Sequence, residues 1–119
     1  MIPSYTELEM LPSTLESLNA NNISILENTL VIVVVNHGKD SDSKVKENNK
    51  LTIQILKNKN TYFTLGIVDA ASSGLELPPK QAGVGLARRI GMDLALSHLS
   101  SDQSLIFCTD ADTIVEKNY

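Results

Sequence analysis

Leu30-Val31-Ile32-Val33-Val34-Val35 runs directly into Asn36-His37-Gly38-Lys39-Asp40-Ser41-Asp42. A short, unbroken β-branched run reads as a strand buried on both faces. Such strands belong to parallel sheets covered by helices. The polar stretch that follows has turn chemistry and marks the strand's carboxyl end. Upstream, Leu8, Leu11, Leu15 and Leu18 recur at helical spacing within Glu7 to Ala20. Pro12 is tolerated only near a helix start, so the regular part begins around Leu11. Downstream, Ser43 to Asn58 is predicted to be helical, with Val45, Thr52, Ile55 and Leu56 inward; the alternation Leu51, Ile53, Ile55 leaves a strand as the competing reading. Leu65 to Val68 reads as a second strand ending at Asp69, and Ala70 to Gln81 as a loop. Gly83 to His98 reads as a helix with Val84, Ala87, Ile90, Leu94 and Ala95 on one face. Ser104 to Cys108 reads as a third strand closed by Thr109 to Thr113. Helices and strands alternate, which predicts an α/β fold, Rossmann-like, with a mostly parallel sheet flanked by helices. Ligands bind such sheets beyond the carboxyl ends of the strands. Asn36, Asp69 and Asp110 sit at those ends, so the three tips are expected to converge on one crevice.

The chain has 119 residues, 42% hydrophobic and 20% charged, the size and make-up of one folded domain or part of one. Ten Lys and Arg against 14 Asp and Glu give a net charge of −4. That balance argues against non-specific nucleic-acid binding, which needs a basic footprint. Aromatic content is 4% with no Trp, which argues against a stacking platform for single strands. The lone Cys108 has no internal disulfide partner and is expected to be a buried, reduced thiol within Leu105-Ile106-Phe107-Cys108. No Cys and His cluster has zinc spacing. The opening residues lack a basic region with an apolar signal core, and Leu30 to Val35 is too short to span a bilayer. The expectation is a cytoplasmic chain, associated with membrane only through segments not present here.

Three stretches carry candidate chemistry. Asp110-Ala111-Asp112 follows a predicted strand, and its paired carboxylates suit a hard divalent cation such as Mg²⁺ or Mn²⁺. Helix capping or plain solvation is the rival reading. Lys80-Gln81-Ala82-Gly83-Val84-Gly85-Leu86-Ala87-Arg88-Arg89 places glycines at a helix start, where backbone N–H groups attract anions. Lys80 and Arg88 add positive charge, and diphosphate is the natural guest. Close packing at Gly83 and Gly91 is the rival reading. A dinucleotide fingerprint fits poorly, since Pro78-Pro79-Lys80 separates the glycines from any strand. Ile2-Pro3-Ser4-Tyr5-Thr6-Glu7 offers a tyrosine that either stacks on a base or packs. Asp40, Asp42 and His37 read as ordinary loop residues.

Taken in order, these stretches resemble family 2 glycosyltransferases, nucleotide-sugar enzymes of GT-A fold. Ile2 to Glu7 resembles their I-P-x-Y-N-E segment. Leu30 to Asp40 resembles the second strand with its D-D-G-S-x-D tip. Gly83-x-x-x-Ala87-Arg88-Arg89-x-Gly91 resembles G-x-x-x-A-R-N-x-G. Phe107 to Asp112 resembles the strand bearing D-x-D. The resemblance implies a single donor-binding part spanning residues 1–119 of a longer glycosyltransferase. It implies a UDP- or GDP-sugar donor and a glycan, lipid or protein acceptor. Pro3, Tyr5, Glu7, Asn36, Lys80, Gly83, Gly85, Arg88 and Asp110 would bind the nucleotide-sugar, with Tyr5 against the base. Asp112, with Asp110, would hold Mn²⁺ or Mg²⁺. The family's first strand would precede Ile2, and its catalytic base would lie beyond Tyr119. Asn36-His37 stands in place of the family's acidic pair, and Arg89 in place of Asn. A non-catalytic nucleotide-sugar-binding or regulatory module of the same fold is the alternative. A nucleotidyltransferase would need Gly and Lys near the first strand, and Ile2 to Glu7 has neither.

Overall fold

The computed structural model describes residues 1–117. Its elements run β1 (Ile2–Ser4), α1 (Leu11–Asn19), α2 (Ile23–Leu26), β2 (Leu30–Asn36), α3 (Ser43–Lys57), β3 (Thr64–Ala70) and α4 (Val84–Leu96). The three strands form one parallel sheet in the order β1-β2-β3. Ile2 pairs with Val33, and Val33 with Ile67. The β-branched run is therefore the central strand, and Val33, Val34 and Val35 are fully buried.

Alternate residues of β2 feed two separate cores. Val31, Val33 and Val35 pack with Leu11 and Leu15 of α1 and with Ile53 and Leu56 of α3. Ile32 and Val34 face the other way, onto Ala87 of α4. Helices thus cover both faces, as a strand apolar on both sides requires. Both β-α-β crossovers put their helices on one face, and α4 recrosses to the other. The chain then returns past β1, which makes the β1 edge the point where strand order reverses. Gly91 is what lets α4 lie this close. A Cβ there would stand 2.4 Å from Met1 Cγ and 3.0 Å from Val34 Cγ2.

Several expectations fail. In α3 the inward set is Asn49, Thr52, Ile53 and Leu56, while Ile55 is exposed. In α4 Val84 and Leu94 are exposed, and Ala87 and Gly91 are the buried residues. Residues 2–4, expected to follow the first strand, are themselves β1. Ser104 to Cys108 forms no strand, and Cys108 is exposed. The reason lies in its neighbour. Met1 N donates to the Phe107 carbonyl and Thr109 N to the Met1 carbonyl, a parallel pairing of Met1 with Cys108. The ladder cannot continue toward Asp110, because the next β1 residue facing that side is Pro3, which has no N–H. Among the described residues no helix is long and apolar enough to cross a membrane.

Candidate functional site

A cleft of about 530 Å³ opens at the carboxyl ends of β1 and β2, where strand order reverses. One wall is Pro3, Ser4, Tyr5 and Glu7; another is Asn36, His37, Gly38 and Asp40. Gly83 and Val84 at the start of α4 form a third, and Asp110 to Asp112 a fourth. Of the residues predicted for the site, Pro3, Tyr5, Glu7, Asn36, Gly83, Asp110 and Asp112 line it. Lys80 and Gly85 are exposed and do not. Arg88 stays at the rim, where its guanidinium donates to Asp110 Oδ1 at 2.7 Å. Asp69 does not join the convergence. Its carboxylate accepts from the backbone N–H groups of Ala71 and Ser72 and from the Ser72 hydroxyl. Those bonds hold its carboxyl below the usual range against the opposing effect of burial. The base expected beyond Tyr119 lies outside the described residues.

The aspartates reach the cleft without a strand to carry them. Thr14 Oγ1 of α1 donates to the Ala111 carbonyl at 2.6 Å, and Val115 N donates to Ser17 Oγ at 3.1 Å. Two hydroxyls on one helix therefore fasten the segment, and Ala111 is buried between Asp110 and Asp112. Opposite, α4 starts at Gly83 with φ 151°, a conformation open to glycine, and with no side-chain cap. Uncapped first-turn N–H groups carry partial positive charge and suit an anion. Asp42, by contrast, caps α3 through Val45 N.

Beneath the cleft lies a buried polar network centred on Asn49. Asn49 Oδ1 accepts from Thr6 N at 3.0 Å. A backbone N–H only donates, so this bond fixes which way the Asn49 amide points. Its Nδ2 then donates to the Asn36 carbonyl and to His37 Nδ1, each at 3.0 Å. His37 Nδ1 must accept, so the ring proton sits on Nε2. His37 Nε2 is buried with no partner among the described residues, in a side chain that lines the cleft. Burial holds the imidazole below its ordinary pKa and Lys46 adds to that, while Glu76 and Asp69 pull the other way. The ring is a neutral donor at neutral pH. The Asn36 side chain also has a structural part: its Nδ2 donates to the Ser4 carbonyl at 3.1 Å and braces β1 against β2. Thr6 is the one described non-glycine residue with positive φ, 56°, and its bond to Asn49 holds it there. The loop between β3 and α4 is tied to the tip of β2. Leu77 N donates to the His37 carbonyl and Lys39 N to the Leu77 carbonyl. Gly38 permits that approach, since a Cβ there would stand 3.1 Å from Ala82 Cβ.

The cleft is acidic. Glu7, Asp40, Asp110 and Asp112 line it, and no Lys or Arg is among its lining residues. The Glu7 carboxyl is held above its usual range, first by burial and then by the negative charges of Asp112 and Asp110. Among the described residues no group of three or more His, Cys, Asp or Glu is arranged to close around a metal ion. Mg²⁺-type sites commonly use one or two carboxylates and complete their shell with water and substrate phosphate. Asp110 and Asp112, crowded by Glu7, fit that sparser kind of site. Sequence reading missed His37, Asn49, Thr14 and Ser17. No protein-family model, curated protein or solved structure matches the chain.

Proposed function

We propose that the cleft binds the nucleoside diphosphate of a sugar donor, and that the chain is the donor-binding part of a glycosyltransferase resembling family 2, of GT-A type. One observation carries this reading. A cleft at the reversal of strand order sets carboxylates against the uncapped start of a helix. An anion suits the helix start but is repelled by the carboxylates. A ligand that brings a divalent cation with it satisfies both. A nucleoside diphosphate with Mn²⁺ or Mg²⁺ is such a ligand.

In this reading Asp112, with Asp110, would hold the cation. When bound, the cation supplies neutralisation of the leaving diphosphate. The first turn of α4 receives the phosphate oxygens. Tyr5, half exposed at the rim, stacks on the base. His37 Nε2–H donates to an acceptor on the ligand. Transfer forms a bond from an acceptor hydroxyl to the anomeric carbon and breaks the bond from that carbon to the diphosphate. The diphosphate leaves with the electron pair, and the hydroxyl proton passes to a base not among the described residues.

The test is calorimetric titration with UDP and GDP, with and without Mn²⁺. Manganese-dependent binding of one nucleotide, lost in Asp112→Ala with the fold intact, is the expected result. A folded protein that binds neither nucleotide in Mn²⁺ refutes the proposal. The second reading, a module that binds but does not transfer, is favoured by the Arg88–Asp110 pair, which occupies one of the two carboxylates. Nucleotide-sugar binding without any release of free nucleotide, with acceptors supplied, would support it.

A further inference from the structure

β3 forms one edge of the sheet. Thr64 N donates to the Thr29 carbonyl and the Ala70 carbonyl accepts from His37 N, so the even-numbered residues of β3 bond to β2. Strand alternation then directs the N–H and C=O groups of Leu65, Ile67 and Asp69 to the open side. Among the described residues no strand pairs with them there. Met1 and residues 107–115 lie across the sheet from this side, against β1 and α1. The open side is built by the middle of the chain.

Native proteins blunt such edges with Lys, Pro or a bulge in the strand itself. Thr64-Leu65-Gly66-Ile67-Val68-Asp69-Ala70 has no Lys and no Pro, and its register with β2 is unbroken. The lysines stand above it instead. α1 joins β1 to β2 and α3 joins β2 to β3, so the flank of α3 away from α1 is the one over β3. Thr52 and Ile55 border Leu11 and Leu15 on the α1 side. The opposite flank carries Lys46, Lys50 and Lys57, within about 40° of one another around the helix. Burial raises the Asp69 carboxyl and its bonds to Ser72 and Ala71 lower it; the charge of Lys57 lowers it further, which places that lysine near β3. Lys46 Nζ donates to the Lys39 carbonyl, and none of the three lysines forms a salt bridge among the described residues. Two acids on this side are engaged locally: Asp69 by Ala71 and Ser72, and Glu76 by Gly74 N.

We propose that the open edge of β3 takes an acidic, extended peptide of a partner protein as an added strand. Main-chain bonds to Leu65, Ile67 and Asp69 supply affinity, and the row of Lys46, Lys50 and Lys57 selects by charge. Strand alternation sets the peptide's acids on the α3 face and its β-branched residues on the other face, beside Val68. A second copy of this chain is the wrong occupant. Two β3 edges pair antiparallel about a two-fold axis, which sets both lysine rows on one face and against each other. Nothing in this depends on the cleft or its ligand.

The experiment titrates the full chain with end-capped Thr-Glu-Val-Glu-Val-Thr and, separately, Thr-Lys-Val-Lys-Val-Thr, and reads amide exchange residue by residue. A bound strand slows exchange by 1 + [L]/Kd, which is about fivefold at about four times Kd. The acidic peptide is expected to slow the amides of Leu65, Ile67 and Asp69. Those of Gly66 and Val68, which already bond to β2, should change little. The effect should weaken several-fold between about 50 and about 300 mM salt. In Lys50→Glu/Lys57→Glu, altered at two exposed positions, the lysine peptide should take over. Equal action of the two peptides on the parent overturns the proposal, and so does an absence of protection at millimolar acidic peptide. A free parent chain in which the three amides are already slow also overturns it, because the edge is then taken.

Discussion

Asn49 is fully buried and makes three hydrogen bonds. Asn49→Ala removes all three. A satisfied bond of this kind contributes about 1 kcal/mol, and a buried group left unpaired costs about 1–3 kcal/mol. Thr6 N is part-buried and regains water, whereas the Asn36 carbonyl and His37 Nδ1 stay buried. The expected loss is therefore roughly 3–5 kcal/mol, a large share of the ~5–15 kcal/mol that holds a domain together. Urea denaturation at constant m-value measures it.

Asn49→Asp makes the sharper test, because it changes protonation. The carboxylate still accepts from Thr6 N but can no longer donate to His37 Nδ1. His37 then takes a proton there and becomes a cation paired to Asp. In the parent, burial lowers the His37 pKa below 6.5. Unfolded chains then bind more protons as pH falls through 6.5, so this residue's stabilisation is complete above that value and shrinks below it. In Asn49→Asp the folded pKa is raised instead. Its stabilisation is complete at low pH and is lost as pH climbs through the raised value. The pH slope of stability that His37 contributes should reverse sign between the two proteins. Long-range ¹H–¹⁵N spectra, recorded in a His98→Gln background, report the ring directly. A parent His37 protonated on Nδ1, or an Asn49→Ala protein within about 1 kcal/mol of the parent, refutes the reasoning.

Thr14→Val keeps the side chain's volume and deletes the hydroxyl that holds Ala111, so about 1–2 kcal/mol should disappear on denaturation, and nucleotide affinity should fall with it. Gly91→Ala should destabilise by roughly 1–2 kcal/mol, overpacking Met1 and Val34 by more than the gain in helix propensity; Gly85→Ala, with open space around its Cβ, should be neutral or stabilising by melting temperature. Arg88→Gln releases Asp110 from an exposed ion pair, and titration of the nucleotide-free protein should show Mn²⁺ affinity raised by up to about fivefold, the equivalent of ~1 kcal/mol. Glu7→Gln should raise stability at neutral pH and lose that advantage as pH falls, since the native Glu7 carboxyl is held above its usual range and its ionisation opposes folding.

What was legible in the sequence was whatever a local pattern dictates. The β-branched run reads as a strand buried on both faces, and the leucine spacing as one helix face. Asn36 and Asp110 follow apolar runs, and the parallel-sheet rule alone sets both at one crevice. Asp69 obeyed the same rule and failed, because its own turn offers it two N–H groups and a hydroxyl within three residues. Ser104 to Cys108 has strand composition, but a strand exists only beside another, and β1 gives it a single pairing before Pro3 intervenes. Asn49 carried no signal at all. A polar residue on a helix looks solvated until the helix is docked, and its partners lie 43, 13 and 12 residues away.

That last failure bears on function. Asn36 looked like the residue at the second strand tip that would meet a ligand, with His37 incidental beside it. Both line the cleft, but their surroundings differ. Asn36 spends its amide on the Ser4 carbonyl and stiffens the β1–β2 junction. His37, its Nδ1 engaged by Asn49, is left with one fixed donor in the cleft. A buried donor without a partner is unfavourable in the free protein. A ligand acceptor that pairs with it recovers that loss on binding. The neutral imidazole suits this task in an acidic cleft, because it offers a hydrogen bond without adding a charge that Glu7, Asp40, Asp110 and Asp112 would capture.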